Sequence, residues 1–169
     1  MKKRISFLLA ALTVLLFFAS CGGYEVKLGI GDGSVADDAV TVSFTLPEKI
    51  KDGFTLSCRF SAEKAANLDG SIVFALALAD PLFADSYTEK ELYRFSGSEL
   101  AALKRSDGSC GDLKVDVNFG TLSDSLAAES GTFWLVLHRE DAARTDITAW
   151  NSSSYGYTRT GGTAQITKD

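Results

Sequence analysis

The sequence predicts an all-β protein: an antiparallel β-sandwich, of immunoglobulin-like or jelly-roll type, with one short inserted helix. Three observations carry that expectation. Apolar and polar residues alternate with a period of two in one segment after another. The alternating segments are short and are separated by glycine-, proline- and aspartate-containing turns. Helices do not alternate regularly with strands, as a parallel sheet would require.

The elements follow in order. In Ala39 to Leu46, Val40, Val42, Phe44 and Leu46 share one face, opposite Thr41, Ser43 and Thr45. Residues Pro47 to Gly53 read as a turn. In Phe54 to Phe60, Phe54, Leu56, Cys58 and Phe60 oppose Thr55, Ser57 and Arg59. Both segments suit half-buried strands with one wet face. Ile72 to Ala79 is apolar on both faces, large on one (Ile72, Phe74, Leu76, Leu78) and small on the other (Val73, Ala75, Ala77, Ala79). It suits a central strand with something packed closely over its second side. Asp80-Pro81 ends it, because proline cannot donate to a ladder.

Tyr93 and Phe95 belong to a short edge strand. Ser96 and Glu99 have capping-box spacing and start a helix running to about Arg105. Leu100 and Leu103 lie on one helix face, Lys104 and Arg105 suit the negative end of its dipole, and Asp107-Gly108 closes it. Alternation resumes over Leu113, Val115, Val117 and Phe119. A helical turn is expected over Ser123 to Ala128, then a central strand from Thr132 to Arg139. Short strands follow at Asp146 to Trp150, Tyr155 to Thr160 and Thr163 to Thr167, the last two joined by a Gly161-Gly162 hairpin.

The first 21 residues say where the chain goes. Lys2, Lys3 and Arg4 precede an apolar run from Ile5 to Ala19, broken by Ser6 and Thr13, and Ala19-Ser20 lead into Cys21. This is a secretory signal, too short to span a bilayer, which takes roughly 20 apolar residues. Phe18-Ala19-Ser20-Cys21 resembles the lipobox of bacterial lipoproteins. The resemblance covers residues 1–21 and implies cleavage before Cys21, lipid carried on Cys21 as the first residue of the mature protein, and a place in the cell envelope. By the sorting rule of enteric bacteria, Gly22 in place of aspartate directs such a protein to the outer membrane. The organisation expected is a signal peptide (1–20), a lipidated flexible tether (21–38) and a sandwich domain (39–169).

Composition narrows the partners. Loss of Lys2, Lys3 and Arg4 takes the basic count from 17 to 14 against 22 acidic residues, for a net charge of −8. That charge argues against nucleic acid and against electrostatic attraction to anionic lipid. The remaining cysteines are Cys58 and Cys110. In an oxidising compartment they either close a loop of about 50 residues, worth on the order of 4 kcal/mol, or remain two free thiols.

Candidate chemistry is sparse. The single histidine, His138, sits near the end of an apolar strand with no G-x-S-x-G elbow to supply a nucleophile, and reads as structural. Glu140, Asp141, Asp146, Asp80 and Asp85 are acids at loops and strand ends, where solvated charges are expected. Asp32, Asp37 and Asp38 in a glycine-rich stretch, and Asp107 with Asp112, offer oxygen ligands but match no calcium loop. No metal and no cofactor is implied. The best binding candidate is the segment holding Trp150, Asn151, Tyr155 and Tyr157, where rings and small polar residues mix as in recognition loops. Trp134 reads as core. The expected role is non-enzymatic binding or scaffolding, toward an unidentified protein or glycan. An envelope carbohydrate hydrolase and a purely structural component are the alternatives.

Overall fold

A computed structural model describes residues 23–30, 40–51, 55–78, 88–118, 126, 128–140, 149–150 and 154–168. Its strands are β1 (Gly23–Ile30), β2 (Val40–Pro47), β3 (Lys49–Lys51), β4 (Thr55–Ala62), β5 (Ile72–Ala77), β6 (Glu89–Phe95), β7 (Asp112–Asn118), β8 (Ser130–Arg139), β9 (Ala149–Trp150), β10 (Tyr155–Thr160) and β11 (Thr163–Lys168), with one α-helix, α1 (Gly97–Leu103). They form two sheets, one ordered β1-β2-β4-β7, the other β3-β11-β10-β8-β5-β6 with β9 added beside β8. Every strand pairing is antiparallel. The fold is thus an all-β, sandwich-like arrangement with one short helix, as the alternation requires.

The core lies between the sheets. Val26, Leu28 and Ile30 of β1, Val40, Val42, Phe44 and Leu46 of β2, and Cys58 and Phe60 of β4 point into it from one side. Ile72, Phe74, Leu76, Phe95, Phe133, Leu135, Leu137, Tyr155, Tyr157 and Ile166 meet them from the other. Three aromatic pairs cross the gap. Tyr24 meets Tyr155 edge-on with centroids 6.0 Å apart, Phe44 meets Phe74 at 5.3 Å, and Phe60 meets Phe95 at 4.4 Å. Each such pair contributes about 0.5–1.5 kcal/mol beyond the burial of its rings. Strands β1, β2 and β4 therefore face β10, β5 and β6 in that order, which aligns the two sheets.

Two sequence expectations are corrected and one open alternative is resolved. Residues Gly23 to Ile30, placed in the tether, form a strand paired with β2 residue by residue from Gly23↔Pro47 to Ile30↔Val40. The signal was present: Tyr24, Val26, Leu28 and Ile30 alternate with Glu25, Lys27 and Gly29, and Val26, Leu28 and Ile30 are at most 2% exposed. Lys49 to Lys51, placed in a turn, pair with Gln165 to Thr163 as an edge strand. Finally, Cys58 and Cys110 are both free thiols. Cys58 sits opposite Val115, whereas Cys110 lies beyond the Asp112 end of β7, opposite Lys104. The three steps from Val115 to Asp112 alone cover about 10 Å, past the roughly 7 Å limit for a disulfide's Cα atoms.

Other expectations hold apart from two: Trp134, read as core, lies on the outer side of its sheet, and the helix is shorter than expected. β5 is central, flanked by β6 and β8, and is buried on both faces: Val73, Ala75 and Ala77 form a second small cluster with Val136, against which Trp134 packs. Trp134 therefore sits on the outer side of this sheet rather than in the main core. Helix α1 begins with the anticipated capping box, Ser96 Oγ accepting from Glu99 N and the Glu99 carboxylate accepting from Ser96 N, and buries Leu100 and Leu103. It ends two residues earlier than expected, at Leu103, with Lys104 extended at the C-cap. The β10–β11 hairpin turns through Gly161, whose φ of +61° is the hand that two-residue hairpins demand. Gly131 is required for another reason: it lies opposite Tyr157, and a Cβ there would sit 2.8 Å from that ring. Of the turn expected over Ser123 to Ala128, Leu126 is described as a buried turn residue. Residues 31–39, Asp80-Pro81, Phe119, the start of the Asp146 strand and the signal sequence lie outside the described residues.

Because Leu28 is fully buried in the core, Leu28→Ala is expected to destabilise the protein by about 2–4 kcal/mol in urea unfolding. A residue in a tether would change nothing.

Candidate functional site

Two surfaces hold the polar chemistry of the described residues. The first is the outer face of the four-stranded sheet. The alternation that buries Cys58, Phe60 and Val117 necessarily turns Thr55, Ser57 and Arg59 of β4 and Asp112, Lys114 and Asp116 of β7 to solvent. Neighbouring strands add Ser43, Thr45, Glu25 and Lys27. Cross-strand register then makes pairs. Ser57 Oγ donates to Asp116 Oδ1 at 2.6 Å, opposite it in the ladder, and Arg59 Nε donates to Asp112 Oδ2 at 3.1 Å across one diagonal. Ser43, Ser57, Arg59, Lys114 and Asp116 line a shallow open depression of about 480 Å³ on this face. Cys58 and Val115 form its floor through the sheet. Burial, and secondarily Asp116, push the Cys58 thiol up to about 12, which leaves it an inert core group.

The second surface is the outer side of β6, β5 and β8 at the helix end. Arg94, Val73 and His138 stand in one row across the three strands. Arg94 pairs with Glu91 and with Glu140. His138 Nε2 lies 2.8 Å from Glu89 Oε1 and its Nδ1 lies 2.6 Å from the Arg139 carbonyl oxygen. Both partners are acceptors, so the protonated ring can donate from both nitrogens at once. The Glu89 hydrogen bond is the main cause of a pKa raised above the ordinary histidine value; burial and Arg94 oppose it, the Arg139 carbonyl and the Glu89 charge reinforce it. With both nitrogens in hydrogen bonds, the ring is fixed in place on the outer side of β8. Beside it, Asp69, Gly70, Ser71, Arg139 and Glu140 line a second open depression of about 450 Å³. The Arg139 guanidinium there donates to the carbonyls of Asp69 and Asn67 at 2.8 and 3.0 Å, bracing the loop before β5.

The sequence candidates divide sharply. Tyr155 and Tyr157 are not displayed on a surface loop: they are 1% and 6% exposed and belong to the core, Tyr155 stacked on Phe133 at 5.4 Å. Strand alternation explains the correction, since residues two apart on β10 share a face and that face looks inward. The backbone of Trp150 pairs with Val136 in β9; its side chain, Asn151 and Cys21 lie outside the described residues. Of the acids considered for catalysis, Glu140 is described and is held by Arg94. Asp107 accepts from the backbone and hydroxyl of Ser109, which draws its carboxyl below the usual range and makes it a turn-former. Asp112 is committed to Arg59. Among the described residues no group of three or more His, Cys, Asp or Glu side chains is arranged to hold a metal.

The residues that line the sheet-face depression carried a sequence signal only as wet-face positions. Alternation places them outward, but nothing in one strand's sequence says which strands will stand side by side.

No family model matches this chain, and neither a curated protein nor a solved structure is significantly similar to it.

The His138–Glu89 pair has a defined pH signature. A raised folded-state pKa contributes stability that is fully present below the unfolded value near 6.5 and is lost as pH rises through the folded value. Unfolding free energy should therefore fall in the wild type as pH rises from 6 to 9. His138→Gln should be less stable at pH 6 and should lose that part of the slope, as urea titrations at the two pH values would register.

Proposed function

We propose that the protein is a lipid-anchored envelope component that acts by binding or scaffolding rather than by catalysis. The lipid is carried by Cys21, and the binding surface is the outer face of the four-stranded sheet. The observation that carries the surface assignment is the depression lined by Ser43, Ser57, Arg59, Lys114 and Asp116. Hydroxyls, a guanidinium, an ammonium and a carboxylate lie there side by side on one rigid ladder, and a sheet holds such groups with little entropy left to lose on binding. An array of this kind suits a partner rich in hydroxyls or amides, a glycan or a polar protein segment. It does not suit an apolar ligand, because open polar depressions bury little apolar area. His138, with both ring nitrogens engaged, lends no support to a hydrolase.

The outer membrane remains the favoured destination on the identity of Gly22. Attachment through several acyl chains does not depend on charge: each buried methylene contributes about 0.8 kcal/mol, so the negative mature chain is held at a bilayer that would not attract it electrostatically.

Two experiments test the two halves. Cys21→Ala should move the protein from the membrane to the soluble fraction and abolish fatty-acid labelling; continued membrane partitioning would refute the anchor. For the surface, Arg59→Glu combined with Lys114→Glu should reduce binding on arrays of envelope glycans and proteins by about tenfold or more, the worth of one or two charge-assisted hydrogen bonds. The exposed positions make unfolding an unlikely cause, since exposed ion pairs contribute about 1 kcal/mol or less, and thermal unfolding of the variant checks it. Binding that is undiminished would place the surface elsewhere.

A further inference from the structure

The correction at β1 has a consequence for how the molecule stands on a membrane. Gly22 alone separates Cys21 from the first residue of β1, and two virtual bonds place their Cα atoms at most about 7 Å apart. Gly23 is no free end. It pairs with Pro47, and the next residue, Tyr24, packs its ring on Tyr155 and donates its hydroxyl to the Ile166 carbonyl at 3.5 Å. A lipid on Cys21 is therefore attached to a fixed corner of the sandwich.

The elements at that corner define one end of the body. Ile166 N donates to the Glu48 carbonyl at 2.6 Å. From there β3 runs beside β11 toward the Gly161-Gly162 turn, Lys51 reaching Thr163. β8 starts at the same end, Ser130 opposite Thr158. Its nine steps to Arg139 cover about 30 Å. At the far end lie the Asp69–Ser71 loop, whose carbonyls Arg139 holds, and the turn after α1, tied to that loop by Lys104 and Asp69 at 3.2 Å.

We infer that the Gly23, Pro47 and Gly161 end of the sandwich rests on the lipid headgroups, and that the α1 end points away from the bilayer. The inference rests on the lipid-anchor reading of Cys21. The exposed residues of the near end fit a headgroup layer rather than acyl chains: Thr45, Glu48, Lys49, Glu129, Ser130 and Thr160 are polar or charged with both signs present. With the strands running along the membrane normal, the wet face of the four-stranded sheet stands upright. Its partner then approaches along the plane of the membrane instead of from above.

The test uses the full acylated chain, purified from membranes and reconstituted into phosphatidylcholine vesicles containing a headgroup spin-labelled lipid. Thr160→Cys and Ser106→Cys, both exposed and at opposite ends, are each made in a Cys110→Ser background and labelled with a thiol fluorophore. Cys58 is buried and does not compete. The Thr160 probe is expected to lose most of its emission and the Ser106 probe to keep it. Equal quenching of both would mean that the body lies on its side, and quenching of neither that it hangs clear of the surface; either overturns the orientation. The mass of the N-terminal peptide separates the two failures. An unacylated Cys21 brings down the anchor and the orientation with it, whereas an acylated Cys21 with the wrong quenching pattern brings down the orientation alone.

Discussion

The structure depends on the contact between two sheets, and that contact depends on large side chains meeting across it. Strand alternation supplies each sheet with one apolar face, but apolar faces alone would leave relative position open. The pairs Tyr24–Tyr155, Phe44–Phe74 and Phe60–Phe95 bind three strands of one sheet to three of the other at three heights. Close packing makes such an arrangement hard to slide, since shifting one sheet by a residue would part all three pairs. Within the second sheet, Gly131 leaves room for the Tyr157 ring on the neighbouring strand, from which a Cβ would lie 2.8 Å.

The same contact decides what β1 is. Its apolar residues have somewhere to go only because Phe133, Tyr155 and their neighbours offer an opposing surface. With β1 part of the core, Gly23 is fixed to the body of the fold. An acyl chain on Cys21 would transmit position to the sandwich through a single glycine, where a tether of 18 residues would have averaged out orientation.

The outer faces follow from the two inner ones. On the four-stranded sheet the outward positions are hydroxyls and charges, and cross-strand register turns them into pairs such as Ser57–Asp116 and Arg59–Asp112. On the second sheet the outward positions of β5 are valine and alanine. Charge there is displaced to the helix end, where Arg94 engages Glu91 and Glu140, and His138 engages Glu89. Carboxylates held one by one against cations neutralise a surface pair by pair. Both outer faces are thus held by pairwise contacts between side chains.

Local residue order by itself determined the β class, most strand positions, the capping box of Ser96 and Glu99, the Gly161 hairpin and the two-sided burial of β5. Each of these is a matter of neighbours within a few positions, where backbone period and turn chemistry act. Residue order also carried the alternation of Gly23–Ile30; only the tertiary structure decided that Lys49–Lys51 pairs as an edge strand, that Tyr155 and Tyr157 face inward, and that Cys58 and Cys110 lie too far apart to join. It also decided that Ser57, Arg59, Lys114 and Asp116 share one depression. These outcomes turn on which segments lie side by side after folding. A strand's period is written in its own residues, but its partner, its register and the face it buries are settled by contacts across scores of intervening residues.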